Sequence, residues 1–284
     1  MKFIKKIYQL IKAILRVRSC GIEIRIYKDI IAAYIRLIFL QRYDSRKSIA
    51  RIGQYKVNFC SYYNFINLFN GIFINNEYYF VSDSKSPYII DCGSNIGMSV
   101  LYFKMLYPES NILAFEPSED AFACLMNNIS MNNLKSVIAN NTALSNKEGT
   151  VDFYYDLEDV GSLMMSTKRL RLPKLNKVVR AEILSKYINR DVDLLKIDVE
   201  GAELEIIEEL CINGNMKNII QVIIEYHHHI IKSLDEFSRM LSLLENAGFG
   251  YQIESSLDRP LKGEQFQNIL VYAYNKNDCI AKSQ

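Results

Sequence analysis

Four acidic residues in this chain each close an apolar run, and acids in such places hold hydroxyls and cations. Asp91 follows Tyr88, Ile89 and Ile90; Glu116 follows NILAF (111–115); Asp198 ends DLLKID (193–198); Glu225 lies near the end of NIIQVIIEY (218–226). In an open α/β sheet, ligands bind beyond the carboxyl ends of the strands, where these acids fall. Each would be costly to desolvate without a cationic or hydroxyl-bearing partner, so four together are hard to explain as structure alone. Directly after the first acid, Gly93 and Gly97 break the chain into D-x-G-x-x-x-G. A dinucleotide fold would instead show G-x-G-x-x-G, whose middle glycine lets a pyrophosphate reach the helix N-terminus. Ser94 and Asn95 stand in that place here. A loop with side chains there and an acid at its mouth suits a cationic ligand better than a diphosphate, and S-adenosylmethionine carries an ammonium and a sulfonium but no phosphate.

The remaining candidates follow from position along the same edge. Glu116 comes roughly 20 residues after the loop, the spacing at which an acid accepts both hydroxyl protons of a ribose. Asn141 and Thr142, after the third strand, are expected beside the purine. Asp198 and Glu225 lie on the side where the reactive end of the ligand meets the acceptor. Asp198 could alternatively cap the helix that begins near Gly201. An Asp198/Glu225 pair could hold a divalent metal that acidifies an acceptor hydroxyl; the sequence does not decide this, and no residue is assigned as a metal ligand. His227 is the candidate base, because histidine titrates near neutrality and this one shares a strand face with Glu225 two residues before it. The alternative is a surface or supporting histidine in the run 227–229.

The elements that must position these groups alternate from Pro87 onward, as a doubly wound α/β domain requires. Strands are expected at 88–90, 111–115, 136–140, 193–198 and 218–226, with a closing pair at 250–254 and 268–274. Helices are expected over Ser99–Tyr107, Glu119–Met131 capped by Ser118, Gly201–Leu210, and Asp235–Ala247 stopped by Gly248. Residues 150–155 alternate as a half-exposed hairpin strand. The loop after them carries Lys168, Arg169, Arg171, Lys174 and Lys177, a solvated basic surface or a contact for an anionic partner.

Ahead of this domain, residues 2–18 place Phe3, Ile4, Ile7, Tyr8, Leu10, Ile11, Ile14 and Leu15 on one helical stripe with lysines and Arg16 opposite. Lys12 and Arg16 interrupt it well short of the ~20 apolar residues that span a bilayer. Residues 1–18 therefore either make peripheral contact with a membrane or pack on the chain's own body. Residues 30–40 read as a second packed helix, 41–53 as a polar link, and 55–60 as a strand. In 63–80, Phe65, Phe69, Phe73 and Tyr79 are either core or an aromatic wall over the nucleotide pocket. The division expected is a helical, basic extension at 1–60 and a cofactor-binding domain at 61–284.

Composition adds bounds. The 284 residues carry a net charge of +2, which lacks the basic footprint of a nucleic-acid binder. Six cysteines show no C-x-x-C pair and no zinc spacing, and with no recognisable signal peptide they point to a reducing, cytoplasmic compartment.

The motifs DCGSNIG, FEPSED, TALSNKEGTVDF, IIEYH and above all KIDVEGAELEIIEEL (196–210) resemble the FkbM family of S-adenosylmethionine-dependent methyltransferases. The resemblance covers about residues 63–275. It implies a class I methyltransferase-like Rossmann fold, with a seven-stranded, mostly parallel sheet whose last strand is antiparallel, here joined to a helical N-terminal extension. It also implies methyl transfer to a hydroxyl of a small molecule or glycan. Carried over by position, Asp91, Gly93, Asn95 and Gly97 would form the loop at the methionine end, Glu116 would hold the ribose, and Asp198 with Glu200 would lie near the transfer site. An RNA methyltransferase using the basic cluster, and an accessory protein whose chemistry has lapsed, are the alternatives. No N/D-P-P-Y/F/W stretch is present, which disfavours methylation of a base amino group, and no Pro-Cys dipeptide offers a cytosine nucleophile. The acceptor itself is not legible, because acceptor pockets in such folds come from insertions and the N-terminal region, which carry no transferable motif.

Overall fold

The computed structural model describes residues 7–8, 10–15, 22–37, 48–155, 166–168, 175–228, 230, 236–255 and 267–281. Its first long element is helix α1, Ile24–Ile35, whose buried stripe is Ile26, Ile30, Ile31, Ala33 and Tyr34. The expected helix at 30–40 therefore begins earlier, because the apolar periodicity already starts at Ile24; it runs on in π-helical form through residues 36–37, and residues 38–40 lie outside the described residues. An antiparallel hairpin of β1 (Ile49–Ile52) and β2 (Tyr55–Asn58) follows. Strand β2 ends two residues earlier than the apolar pattern indicates. Its last residue, Asn58, instead exchanges amide hydrogen bonds with Asn128 at 2.6 and 2.9 Å.

Ser61 then caps α2 (Tyr62–Leu68), which widens without a break into a π-helical segment, Phe69–Ile74. The aromatic residues here settle into core: Phe59 stacks on Phe65 and Phe69 on Phe73, and Phe73 meets Tyr102 edge-on. Their rings bury large apolar area at little entropic cost. These elements share one hydrophobic cluster with α1 and the β1–β2 hairpin. From the early amphipathic stretch, residues 10–15 are helical, with Ala13 buried, Leu10 and Ile14 packed against that cluster, and Ile11 and Leu15 exposed.

The main sheet has seven strands. In chain order they are β3 (Tyr88–Cys92), β4 (Asn111–Phe115), β5 (Val137–Asn140), β9 (Val192–Ile197), β10 (Ile219–His228), β11 (Phe249–Glu254) and β12 (Gln267–Asn275), and across the sheet they run β11-β12-β10-β9-β3-β4-β5. The five strands from β10 to β5 are parallel, and β12 is antiparallel to both of its neighbours. This is the arrangement the resemblance implied. Its chain order reverses direction between β3 and β9, which opens the crevice where ligands enter such sheets. On one face lie α3 (Met98–Leu106) and α4 (Glu119–Met131); on the other lie α5 (Glu203–Ile212) and α6 (Phe237–Asn246). A short helix α7 (Lys276–Ala281) follows β12.

A three-stranded sheet, ordered β6-β8-β7, stands beside the crevice. It joins β6 (Ala143–Leu144), β7 (Gly149–Tyr155) and β8 (Leu175–Glu182). Strand β8 was not expected from the sequence. Of the basic cluster, Arg169, Arg171 and Lys174 lie outside the described residues, while Lys168 pairs with Glu205 and Lys177 with Glu119. No helix among the described residues is long and apolar enough to cross a membrane.

Candidate functional site

The crevice at the end of β3 is a cleft of about 770 Å³. Its floor is the turn Gly93–Asn95. Gly93 has φ +81°, and a Cβ there would lie 1.7 Å from the carbonyl oxygen of Asp198, so only glycine lets the turn pack against the end of β9. Asn95 holds the left-handed φ of 47° that asparagine tolerates better than most residues. Gly97, also left-handed, begins α3 and does not line the cleft.

Glu116 forms the next wall. Its Oε2 accepts from the Asn95 amide and its Oε1 from the Ser118 amide, both at 2.8 Å, which leaves a lone pair on each oxygen for a ligand. Burial pushes its carboxyl up to about 7 even though both amides and Lys196 favour the charged form. Thr142 also lines the cleft. Asn141 does not: it is exposed, and its side-chain amide donates to the Glu116 and Pro117 carbonyls.

Asp91 is placed differently from the sequence expectation. It lies inside β3, fully buried, and faces the sheet interior rather than the cleft. One carboxylate oxygen accepts from Ser99 Oγ at 2.5 Å, and the other lies 3.1 Å from Lys196 Nζ. That ammonium also donates to the carbonyls of Gly93, at 2.6 Å, and Cys92, at 3.2 Å. Burial works against the lysine's charge, yet Asp91 and Asp198 hold it above the ordinary lysine range. With its donors committed in this way, Lys196 pins the glycine turn to β9.

Beyond Lys196 the acids gather. Asp198 Oδ2 accepts from the Tyr78 hydroxyl at 2.8 Å and lies 3.5 Å from Lys196 Nζ. It caps nothing, since α5 begins without a side-chain cap and Glu203 itself takes the Gly201 amide. The Tyr78 oxygen also lies 3.3 Å from Glu225, whose other oxygen accepts from Asn268 at 2.6 Å. Burial and then Asp198 push Glu225 up to about 8. Of the aromatic residues in 63–80, the one that reaches the cleft is therefore Tyr78 and not Tyr79; it lies in the turn after the π-helix that the Tyr79 amide closes on the Asn76 carbonyl. A second opening of about 840 Å³ adjoins the first at Tyr78, Asp198 and Glu200, and Asn67, Asn70, Glu77, Glu225 and Asn268 line its far side.

His227 lies at the end of β10 with its ring fully buried. Its Nδ1 meets Glu203 Oε1 at 2.9 Å; its Nε2 faces Glu200 Oε2 at 3.1 Å, Glu225 Oε1 at 3.9 Å and Asp198 Oδ1 at 4.0 Å. Burial disfavours its charge, but Glu200 and Glu203 outweigh that and push it up to about 10. The expectation that it titrates near neutrality is thus not met, because four acids rather than one surround it. Glu200 sits in a left-handed turn with φ 58°. Lys196, Tyr78 and Glu203 are the site residues that sequence reasoning did not single out; Lys196 and Glu203 were visible only as members of KIDVEGAE.

Comparisons with known proteins identify the family. Residues 91–251, more than half of the chain, match the family described as Methyltransferase FkbM domain. The chain is 28% identical over 204 residues to Methyltransferase 1 of Beauveria bassiana, covering 64% of this chain and 80% of that protein. It is 30% identical over 173 residues to Methyltransferase sdnD of Sordaria araneosa, covering 50% of this chain and 67% of that one. A methyltransferase FkbM crystal structure from Methylobacillus flagellatus superposes with a TM-score of 0.48 at 13% identity, over 94% of this chain and 60% of the other. With the glycine turn, Glu116 after β4 and Asp198 of the KIDVEGAE motif after β9 brought to one crevice, and the family match covering more than half of its length, this chain is a methyltransferase and belongs to the FkbM family.

Proposed function

We propose that the protein transfers a methyl group from S-adenosylmethionine to a hydroxyl of a small-molecule or glycan acceptor. The observation that carries this reading is that two clefts meet at Tyr78, Asp198 and Glu200, one holding the glycine turn and Glu116, the other lined by amides and acids. The second cleft has no Lys, Arg or His among its described lining residues. Amide and carboxylate groups accept and donate to hydroxyls, whereas a polyanion such as RNA would be repelled.

In this reading Glu116 receives the two ribose hydroxyls on its remaining lone pairs, and the Gly93–Asn95 backbone holds the amino-acid end. Thr142 faces the base. When bound, S-adenosylmethionine supplies an electrophilic methyl group on a sulfonium. The chain's own residues orient the nucleophile and take its proton: Asp198, fixed on one side by Tyr78, turns its other oxygen toward the junction, within reach of an acceptor hydroxyl. Desolvation strengthens that contact.

Calorimetric titration with S-adenosylhomocysteine tests the first half: the intact protein binds, and Glu116→Ala weakens binding by at least about tenfold, the loss of a doubly hydrogen-bonded charged group. Screening acceptors, glycans first, with labelled cofactor and mapping the product by mass spectrometry tests the second. Asp198→Ala then abolishes turnover while leaving cofactor affinity within a few fold. Methylation at nitrogen or carbon, or binding without turnover on any acceptor, would overturn the reading.

A further inference from the structure

We propose that Asp198, Glu200 and His227 form a binding site for one divalent metal ion where the two clefts meet. One carboxylate oxygen from each acid and one imidazole nitrogen lie within 4.8 Å of one another. Donors about 2.1 Å from a six-coordinate ion stand ~3 Å apart when adjacent and ~4.2 Å apart when opposite. His227 Nε2 is 3.1 Å from Glu200 Oε2 and 4.0 Å from Asp198 Oδ1, which matches one adjacent and one opposite pair.

Acids alone would not make the case; the histidine does. Its ring is fully buried, and Nε2 makes no hydrogen bond in spite of the carboxylate 3.1 Å away, because the approach is wrong for an N–H donor. A buried ring nitrogen facing carboxylates in this way calls for a cation, and a divalent ion would displace the ring proton and take the Nε2 lone pair. The opposite nitrogen is held by Glu203, which is itself buried and approaches to 2.9 Å. A carboxylate on Nδ1 fixes the ring and leaves Nε2 as the donor, the support that metal-bound histidines regularly show. Asp198 contributes Oδ1, since Tyr78 and Lys196 engage Oδ2.

Two carboxylates with one imidazole form a hard to borderline donor set, suited to Mn²⁺ and neighbouring first-row ions, with Mg²⁺ weaker because of the nitrogen. Three protein ligands leave coordination positions open beside Asp198 and Glu200, which line both clefts. With the ion bound, Asp198 Oδ1 would hold the ion instead of taking the proton, and a hydroxyl taken up there would be acidified by the ion. That role rests on the methyltransferase reading, but binding of the ion does not.

The test is electron paramagnetic resonance of the full chain, stripped with EDTA and titrated with Mn²⁺. One saturable ion per chain is expected, read as loss of the free-ion signal, and the spin echo of the wild-type complex should carry the modulation of one directly bound histidine nitrogen. Glu200→Gln should weaken binding at least about tenfold, and Glu203→Gln, which removes only the support of the ring, by about 10- to 100-fold. Absence of saturable binding below about 1 mM, the weak end of natural divalent sites, overturns the proposal. So does a complex without nitrogen modulation, a readout that needs no variant. S-adenosylhomocysteine titrated into the same samples separates the two ideas: its binding without Mn²⁺ binding removes the metal site alone, and the reverse removes the cofactor reading alone.

Discussion

Asp91 and Lys196 are register partners on the adjacent parallel strands β3 and β9, and their charged groups meet 3.1 Å apart with no exposure to solvent. A buried pair of this kind contributes little over a well-packed apolar pair, but breaking it strands a charge. Lys196→Met is expected to cost about 3–5 kcal/mol in urea denaturation, while the double variant Lys196→Met with Asp91→Asn recovers a large part of that loss. A double variant no more stable than the single would show that the lysine acts through the Cys92 and Gly93 carbonyls instead.

Glu116 gives the protein a defined pH response. Its folded value of about 7 lies above the ordinary 4.5, so the folded state keeps a proton that the unfolded chain releases. The contribution is fully present below about pH 4.5 and is lost as pH rises through 7, to a total of about 3 kcal/mol. Glu116→Gln is expected to flatten that part of the stability–pH curve, measured by chemical denaturation from pH 4 to 8. Ribose hydroxyls favour the carboxylate, so S-adenosylhomocysteine binding at pH 6 should release a proton. Calorimetry in buffers of different ionisation enthalpy reads it, and no release would contradict the assignment of Glu116.

Tyr78 joins the two clefts through its hydroxyl. Tyr78→Phe keeps the ring but removes the bond to Asp198, and a hydrogen bond to a charged group is worth about 1.5–3 kcal/mol. Turnover on an identified acceptor is expected to fall about 10- to 150-fold, with S-adenosylhomocysteine affinity changed less than about threefold. Equal losses in both would move Tyr78 into the cofactor cleft.

Cys60 and Cys124 bring their sulfurs to 2.8 Å across 64 residues of chain. Diamide is expected to convert the two thiols to a disulfide with loss of two hydrogens, itself reduced to the hydrazine. The readouts are a mass about 2 Da lower and a higher melting temperature, since closing a loop of this length contributes about 4 kcal/mol in the chain-entropy view. Cys124→Ser should abolish both changes, and a wild-type chain that keeps both thiols would refute the pairing.

Much of the sheet was legible because its signals are local. Strand β4 and helix α4 fall where the apolar run 111–115 and the Ser118 cap place them, and Gly248 ends α6 nearly where expected. Strand β8 was not legible: its pairs with β7 join residues 20 or more apart in sequence, and its exposed positions mix Asn176, Val178 and Arg180 without a polar–apolar alternation. The site was legible as acids at strand ends and opaque in its pairings. Lys196 looked like one residue of a motif, and only the register of β3 against β9 shows that it answers Asp91. Likewise His227 looked like a base beside one acid, whereas Glu203 and Glu200 reach it from a turn and helix that the strand pattern does not mention.

The contact of Gly93 with the Asp198 carbonyl bears on how this scaffold can be retooled. Turn and acid cluster are cast as one piece, so a change on either side disturbs both, and a new acceptor range cannot be reached by editing there. The wall from Asn67 to Glu77 is the exchangeable part. It borders the second opening while its aromatic side chains anchor it from behind, so polar positions such as Asn67, Asn70 and Asn75 can vary with the chemistry left untouched. Diversification of such an enzyme, in nature or in a library, belongs on that wall.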